Sequence, residues 1–81
     1  MTDILVVRAD GPTEVTQREM GLNGDTLSWC APGASLVDQY FDLILLANKD
    51  RTPEMVEWVG QNVTGAVNAG GRYQWRDESN G

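Results

Sequence analysis

The chain has no histidine and a single cysteine, Cys30, among its 81 residues. Histidine is the usual general base near neutral pH and the commonest metal ligand in proteins. Without it, the Ser-His and Cys-His pairs of nucleophilic enzymes cannot form within one chain, and a zinc site would depend on one thiolate and carboxylates. We therefore expect a protein that is not an enzyme and that uses no metal or other cofactor.

Disulfides and long apolar segments are also missing. One cysteine cannot form an intrachain disulfide, which favours a reducing compartment and predicts that Cys30 is an inert small hydrophobe. The N-terminus enters the apolar run 4–7 without a basic segment, and no stretch has the length of a membrane span. These features predict a cytoplasmic protein that does not cross a membrane.

Basic residues are scarce, since six Lys and Arg stand against twelve Asp and Glu, which gives a net charge of −6. Proteins that bind nucleic acid draw affinity from clustered Lys and Arg, so direct nucleic-acid binding is not expected. An acidic surface instead suits a partner with a basic surface. A nucleic-acid mimic is a weaker hypothesis, because the acids are spread along the chain and do not form dense rows.

The first third of the chain is typical of strands. Residues 4–8 are a β-branched apolar run, which predicts a strand buried on both faces. Residues 13–22 predict a second, more polar strand, and a third follows the dipeptide Asn23-Gly24. That dipeptide favours a two-residue type I′ turn, because both central positions need a positive φ.

The predicted turn fixes which residues face each other across the hairpin. A two-residue loop at Asn23-Gly24 would pair Met20 with Leu27 and bring Arg18 over Trp29. The second pair predicts a cation–π contact on the apolar face of the hairpin.

The middle of the chain allows two interpretations. Helical spacing of apolar residues from position 36 to 48 favours a helix that begins near Ser35. A buried strand over residues 42–47 is the alternative, because periodicity cannot separate the two for a short apolar run. We expect the helix.

A second helix is predicted to begin at Thr52-Pro53, with Thr52 as the N-cap and Pro53 at the first position. It would extend to Gly70-Gly71, with a ridge of apolar residues four apart: Met55, Val59, Val63 and Val67. Residues 72–76 alternate polar and aromatic side chains, which predicts a last strand.

The predicted order is β-β-β-α-α-β. It favours an α+β domain over residues 1–76, in which an antiparallel sheet of about four strands carries two helices on one face. The polar residues 77–81 are expected to form a disordered tail.

Several side chains are candidates for a partner-binding surface. Asp38 and Asp42 lie four apart on the first predicted helix, which is more typical of a solvated face than of a catalytic or metal-binding pair. Leu45 and Leu46 fall outside that helix's apolar face, and apolar side chains framed by acids are typical of a docking surface. The full candidate set is Asp38, Asp42, Leu45, Leu46, Trp58, Tyr73 and Trp75.

These observations predict a small acidic, non-enzymatic protein that acts by binding another protein as an inhibitor, adaptor or regulatory accessory factor. Short acidic chains of this kind are common among phage and mobile-element accessory proteins, and this hypothesis rests on that association alone. The main alternative is a self-associating component of a phage particle, with a homodimer as its simplest form. A carboxylate-based enzyme is the weakest hypothesis.

Overall fold

The computed structural model describes residues 2–21 and 24–77. Its five strands are β1 (Asp3–Val7), β2 (Thr16–Met20), β3 (Thr26–Cys30), β4 (Phe41–Ala47) and β5 (Val67–Arg76). Between β4 and β5 lie a short 3-10 turn (Asn48–Asp50), the helix α1 (Pro53–Trp58) and a wider π-helical segment (Val59–Val63) that continues α1. No helix in the described part of the chain is long and apolar enough to cross a membrane.

The strands form one mixed sheet in the order β2-β3-β1-β4-β5. Strand β1 lies parallel to both β3 and β4, and β4 lies parallel to β5, whereas β2 is antiparallel to β3. The α+β class is thus confirmed. The prediction of a four-stranded antiparallel sheet with two helices is wrong, because four of the five strands run parallel and only one short helix is described.

The first predicted helix does not form, and the alternative of a strand is confirmed. Residues 31–40 are irregular, and β4 covers Phe41–Ala47 between two parallel neighbours. Leucines stand at both odd and even positions of this run, as they do in a buried helix. In the sheet, Ile44 and Leu46 face one side and Leu43 and Leu45 the other, so each apolar residue meets a neighbouring strand.

The start of the second helix is confirmed, and its predicted end is wrong. Thr52 Oγ1 accepts a hydrogen bond from the Met55 backbone N–H at 3.1 Å, as an N-cap does. The helical segment ends at Val63, and Val67 begins β5. Chain direction reverses at 64–66, where the Ala66 N–H donates to the Val63 carbonyl oxygen at 3.0 Å.

The glycine pair that was expected to end this helix instead bends β5. Gly70 has φ +84°, and the register between β4 and β5 shifts beside it. A Cβ on Gly71 would lie 2.6 Å from the carbonyl oxygen of Asp42, so only glycine fits there. The last strand predicted over 72–76 is the second half of β5.

The predicted hairpin register is wrong by one residue. Met20 pairs with Thr26, and the register shifts between Gln17 and Glu19, so a bulge absorbs Arg18. The Gly21 N–H donates to the Asp25 carbonyl oxygen, which closes a loop longer than a two-residue turn. The expected turn falls partly on Asn23, which lies outside the described residues.

At the other end of the chain, the predicted tail 77–81 is described only at Asp77, whose carboxylate accepts a hydrogen bond from the Asn48 amide at 2.7 Å. The remaining tail residues lie outside the described ranges.

The hydrophobic core lies on one side of the sheet. Side chains from β1, β3 and β4 meet the helical segment and the 31–40 connection there, and they are almost fully buried. The cluster consists of Leu5, Val7, Cys30, Ala34, Leu36, Phe41, Ile44, Leu46, Met55, Val59, Val63 and Ala66. Three residues of the predicted ridge, Met55, Val59 and Val63, are therefore confirmed. The fourth, Val67, does not belong to the helix and instead begins β5.

The path of the chain explains why only one side is covered. The connections β3–β4 and β4–β5 both lie on the core side, since Ala34 belongs to the core and accepts a hydrogen bond from Trp58 Nε1 at 3.0 Å. The connection from β1 to β3 runs instead through β2, a strand within the sheet. In the described residues no helix covers the opposite side, which we call the open face.

Neighbouring leucines on β4 provide a direct test of this arrangement. Leu46→Ala should lower the free energy of unfolding by about 2–5 kcal/mol, because Leu46 is 1 % exposed and its removal leaves a cavity. Leu45→Ala should cost about 1 kcal/mol, because Leu45 is already partly in water on the open face. Urea denaturation of both variants checks this, and equal losses would contradict the one-sided core.

Candidate functional site

The open face carries two rows of apolar side chains across the three inner strands. Register pairs Ile4 with Leu27 and Leu43, and the next row pairs Val6 with Trp29 and Leu45. All six side chains are only partly buried, whereas the alternating residues on the other side of the same strands are in the core. Contiguous apolar patches on a protein surface are a common feature of contact sites.

Arginines border the strip on both sides. On the β2 side, the guanidinium carbon of Arg18 lies 4.1 Å from the centroid of the Trp29 ring, which confirms the predicted cation–π contact. On the β5 side, Arg72 lies beside Leu43 and Arg76 beside Ala47 in the register with β4. Among the described residues, Arg18, Arg72 and Arg76 form no ion pair, and Glu19 lies on the β2 border beside Leu27.

A shallow depression of about 400 Å³ lies at the carboxyl end of this strip. Val6 and Leu45 line its floor, and Arg8 and Arg76 lie at its sides. Arg8 Nε is 3.1 Å from a carboxylate oxygen of Asp10, so part of its charge is compensated. Ligands of open parallel sheets bind beyond the carboxyl ends of the strands, and this depression has that position.

The core side of the molecule carries exposed acids. Glu54 and Glu57 are exposed on α1, which packs over the core, and Asp38 is exposed in the 31–40 connection. The exposed apolar residues on this side include Val37, which is 72 % exposed and lines a shallow pocket together with Tyr40. Acids also lie at the border of the open face, since Glu19 pairs with Leu27 and Asp77 lines the depression.

The predicted docking patch of Leu45, Leu46 and Trp58 does not exist as one surface. Leu45 lies on the open face, but Leu46 faces the core and is 1 % exposed. Trp58 packs against the core from α1 and donates its indole N–H to Ala34. The prediction rested on a helix over residues 36–48, and a strand sends consecutive leucines to opposite sides.

The predicted acids are also apart. Asp38 lies in the irregular connection with φ +60°, and Asp42 is the second residue of β4. Asp42 accepts hydrogen bonds from the Asp3 N–H at 2.9 Å and from the Asn68 amide at 3.2 Å, which tie β1 and β5 to β4. The hydrogen bond from the Asp3 backbone, with help from Asn68, lowers the pKa of the Asp42 carboxyl. Asp42 is therefore a structural acceptor.

The two aromatic candidates lie on β5, on the core side of the sheet edge. Tyr73 pairs with Ile44 in the register and is 39 % exposed, and Trp75 pairs with Leu46 and packs against the core. The Arg51 guanidinium carbon lies 4.9 Å from the centroid of the Trp75 ring. Neither aromatic belongs to the open face.

A second crevice, of about 410 Å³, lies on the core side at the carboxyl ends of β1, β3 and β4. Met55, Trp58 and Pro32 give it an apolar wall. Its polar groups already hold the fold, since Thr52 caps α1 and an Asp50 carboxylate oxygen accepts the Ala9 N–H at 3.0 Å. In the described ranges no group of three metal-ligating side chains occurs.

Sequence reasoning missed most of the open face. Ile4, Val6, Leu27 and Leu43 were not predicted as site residues, although the run 4–8 was expected to be buried on both faces. That expectation was the available signal, because a strand that is apolar on both sides needs a cover on each side. The sequence did not show that the chain covers only one side of these strands.

Comparison with known proteins adds no relationship: no family model matches the sequence, and neither a curated protein nor a solved structure is similar to it at a significant level. Its chemistry must be read from its own residues.

Cys30 is the remaining reactive group, and it is fully buried in the core. Burial raises the pKa of its thiol to about 11, so the reactive thiolate is scarce in the folded protein. A thiol reagent at neutral pH should label Cys30 only as fast as the protein opens, and denaturant should accelerate labelling strongly. Rapid labelling of the native protein would contradict this burial.

The same thiol should make stability depend on alkaline pH. The folded state holds the proton to about pH 11 and the unfolded thiol only to about pH 9.0, so stability should fall as pH rises through this window. The loss should reach up to about 1.4 kcal/mol per pH unit. Urea denaturation of wild type and Cys30→Ala between pH 8 and pH 11, near the two pKa values, should show a steeper decline for wild type; parallel declines would contradict it.

Proposed function

We propose that this protein acts without catalysis, by binding another protein on the open face of its sheet. The observation that carries the proposal is the double row of partly exposed aliphatic side chains, Ile4, Val6, Leu27, Leu43 and Leu45, beside Trp29. Aliphatic side chains gain free energy when another apolar surface removes them from water. They offer nothing to a reacting substrate.

The composition of the face favours protein over nucleic acid. Surfaces that bind single-stranded nucleic acid present aromatic rings on which bases stack. Here the one aromatic ring of the strip, Trp29, is already covered by Arg18. An apolar centre, with arginine among the enriched residue types, is instead typical of protein interfaces.

The charge on the β5 side of the face favours an acidic partner, which differs from the basic partner that the net charge predicts. Arg72 and Arg76 border the apolar strip there and have no described ion pair, whereas the β2 side carries both Arg18 and Glu19. A carboxylate on the partner would meet each of the two β5 arginines at the rim of the interface, where complementary charge steers association. A role as inhibitor, adaptor or accessory factor in the cytoplasm is consistent with such binding and stays a proposal.

A homodimer through the same face is the second candidate, because two bare sheet faces could stack. A two-fold axis along the strands would place β2 of one copy over β5 of the other. Glu19 pairs with Leu27 and Arg72 with Leu43, and both pairs lie in the row of Ile4, so this axis would bring Glu19 over Arg72. Charge is thus compatible with a second copy, and the oligomeric state decides between it and a different protein.

A displayed library of random short peptides, selected on the immobilised wild-type protein, tests the proposal. Selected clones should bind Leu45→Lys at least about tenfold more weakly, because a charge then lies in the apolar strip. The control Val37→Lys introduces the same charge at an exposed position on the core side and should leave binding unchanged.

Thermal unfolding must first show that Leu45→Lys is folded, and Leu43→Lys serves as the second variant on the same face. Clones that bind all variants equally, or that lose binding only to Val37→Lys, would contradict the proposal. Sedimentation equilibrium separates the homodimer: a dimer in wild type that Leu45→Lys dissociates would make a second copy the occupant.

A further inference from the structure

We infer that the segment recognised by the open face is an acidic amphipathic α-helix that lies along the strands over β3, β1 and β4. This inference rests on the proposed function and deepens it. Three features of the face carry it: the chain path that leaves the face bare, the width of the apolar strip, and the position of the arginines.

The chain path shows which element is missing. Parallel strands are found almost only in sheets with helices on both faces, and their crossovers are right-handed. In the order β3-β1-β4, the crossover from β1 to β3 would place a helix on the open face. This chain makes that connection through β2 within the sheet, so the site where a crossover helix would lie is bare.

The width of the apolar strip matches a helix. It spans three strands, and two strand spacings of roughly 4.8 Å make about 10 Å. A helix with its side chains is about 10–12 Å across. A strip of this width accepts one helix laid along the strands.

The length of the strip sets the number of turns. From Ile4 to Val6 the strand advances by two residues, or about 7 Å. A helix covers that distance in about five residues, or a little more than one turn. Apolar residues at i and at i+3 or i+4 of the partner would therefore be enough to fill it.

The arginines of β5 specify one flank of the helix. Arg72 and Arg76 lie one strand beyond the strip on the β5 side, and acidic residues on that border of the partner's apolar stripe would reach them. The β2 border carries both signs, since Arg18 stacks on Trp29 and Glu19 pairs with Leu27. The acids on α1 lie across the sheet, about 10 Å or more away, which is beyond the Debye length of about 8 Å at physiological salt.

A second copy cannot supply this helix from the described part of the chain. Its one helical segment already buries its apolar ridge, Met55, Val59 and Val63, in its own core. The occupant is therefore a helix of a different protein.

Three synthetic peptides of about 16 residues, roughly four turns, provide the probes. The first has an apolar stripe at helical spacing with glutamates along both flanks, the second the same stripe with lysines, and the third the glutamates with a scrambled stripe. Each is titrated into the full chain labelled with ¹³C methyl groups. The first should shift the methyl signals of Val6, Leu43 and Leu45 and bind at least about tenfold more tightly than the other two.

Variants of the protein localise the effect. The double variant Arg72→Glu, Arg76→Glu should weaken the glutamate peptide by at least about tenfold and strengthen the lysine peptide. Arg51→Glu reverses one charge on the core side and should leave both affinities unchanged. High salt should weaken binding of the glutamate peptide.

The outcomes separate this inference from the proposed function. If the lysine peptide binds the open face more tightly, or if a strand-forming acidic peptide displaces the helical one, the inference is wrong and the proposed function stands. If all peptides shift only core-side signals, both are wrong. An oligothymidylate that binds the open face more tightly than any peptide would also contradict both.

Discussion

The feature on which the rest of the structure depends is the connection between β1 and β3. These parallel neighbours would ordinarily be joined by a helix packed on the sheet, but the chain passes along the carboxyl edge and returns as β2. Backbone hydrogen bonds fix that path: the Arg8 N–H donates to the Cys30 carbonyl oxygen at 3.0 Å, and the Ala31 N–H to the Pro12 carbonyl oxygen at 2.7 Å. The close approach excludes a side chain at Gly11, whose Cβ would lie 2.7 Å from the Cys30 carbonyl carbon.

Two properties follow from this path. The connections β3–β4 and β4–β5 fall on one side of the sheet, so the described core is a single layer between the sheet and these two connections. The inner strands nevertheless stay apolar on both sides, as strands in parallel sheets are, which leaves the open face without a cover. Arg72 and Arg76 border this face on β5, and Arg18 and Glu19 border it on β2.

The sequence predicted local structure where the signal is local. The strand at 4–8, the capping of α1 by Thr52, the apolar ridge of Met55, Val59 and Val63, and the contact of Arg18 with Trp29 all depend on neighbours in sequence or on one hairpin. Each of these is present in the structure. Side-chain chemistry within a few residues decides such features.

Long-range pairing could not be predicted in the same way. Residues 42–47 have leucines at both odd and even positions. This pattern suits a buried helix as well as a strand between two parallel neighbours. Only the presence of β1 and β5 decides between the two structures. The bulge at Arg18 likewise changes the hairpin register without a sequence signal. The predicted patch of Leu45, Leu46 and Trp58 failed for this reason, since the helix that would have aligned it does not form.

The central claim is that one side of the sheet faces solvent while the other is a core. The most direct measurement is methyl NMR with a soluble paramagnetic agent. The agent accelerates the relaxation of protons that lie close to the solvent-accessible surface. The account predicts strong relaxation for the methyl groups of Ile4, Val6, Leu43 and Leu45 and weak relaxation for those of Leu5, Val7, Ile44 and Leu46. Equal protection of the two sets in a monomeric sample would contradict it.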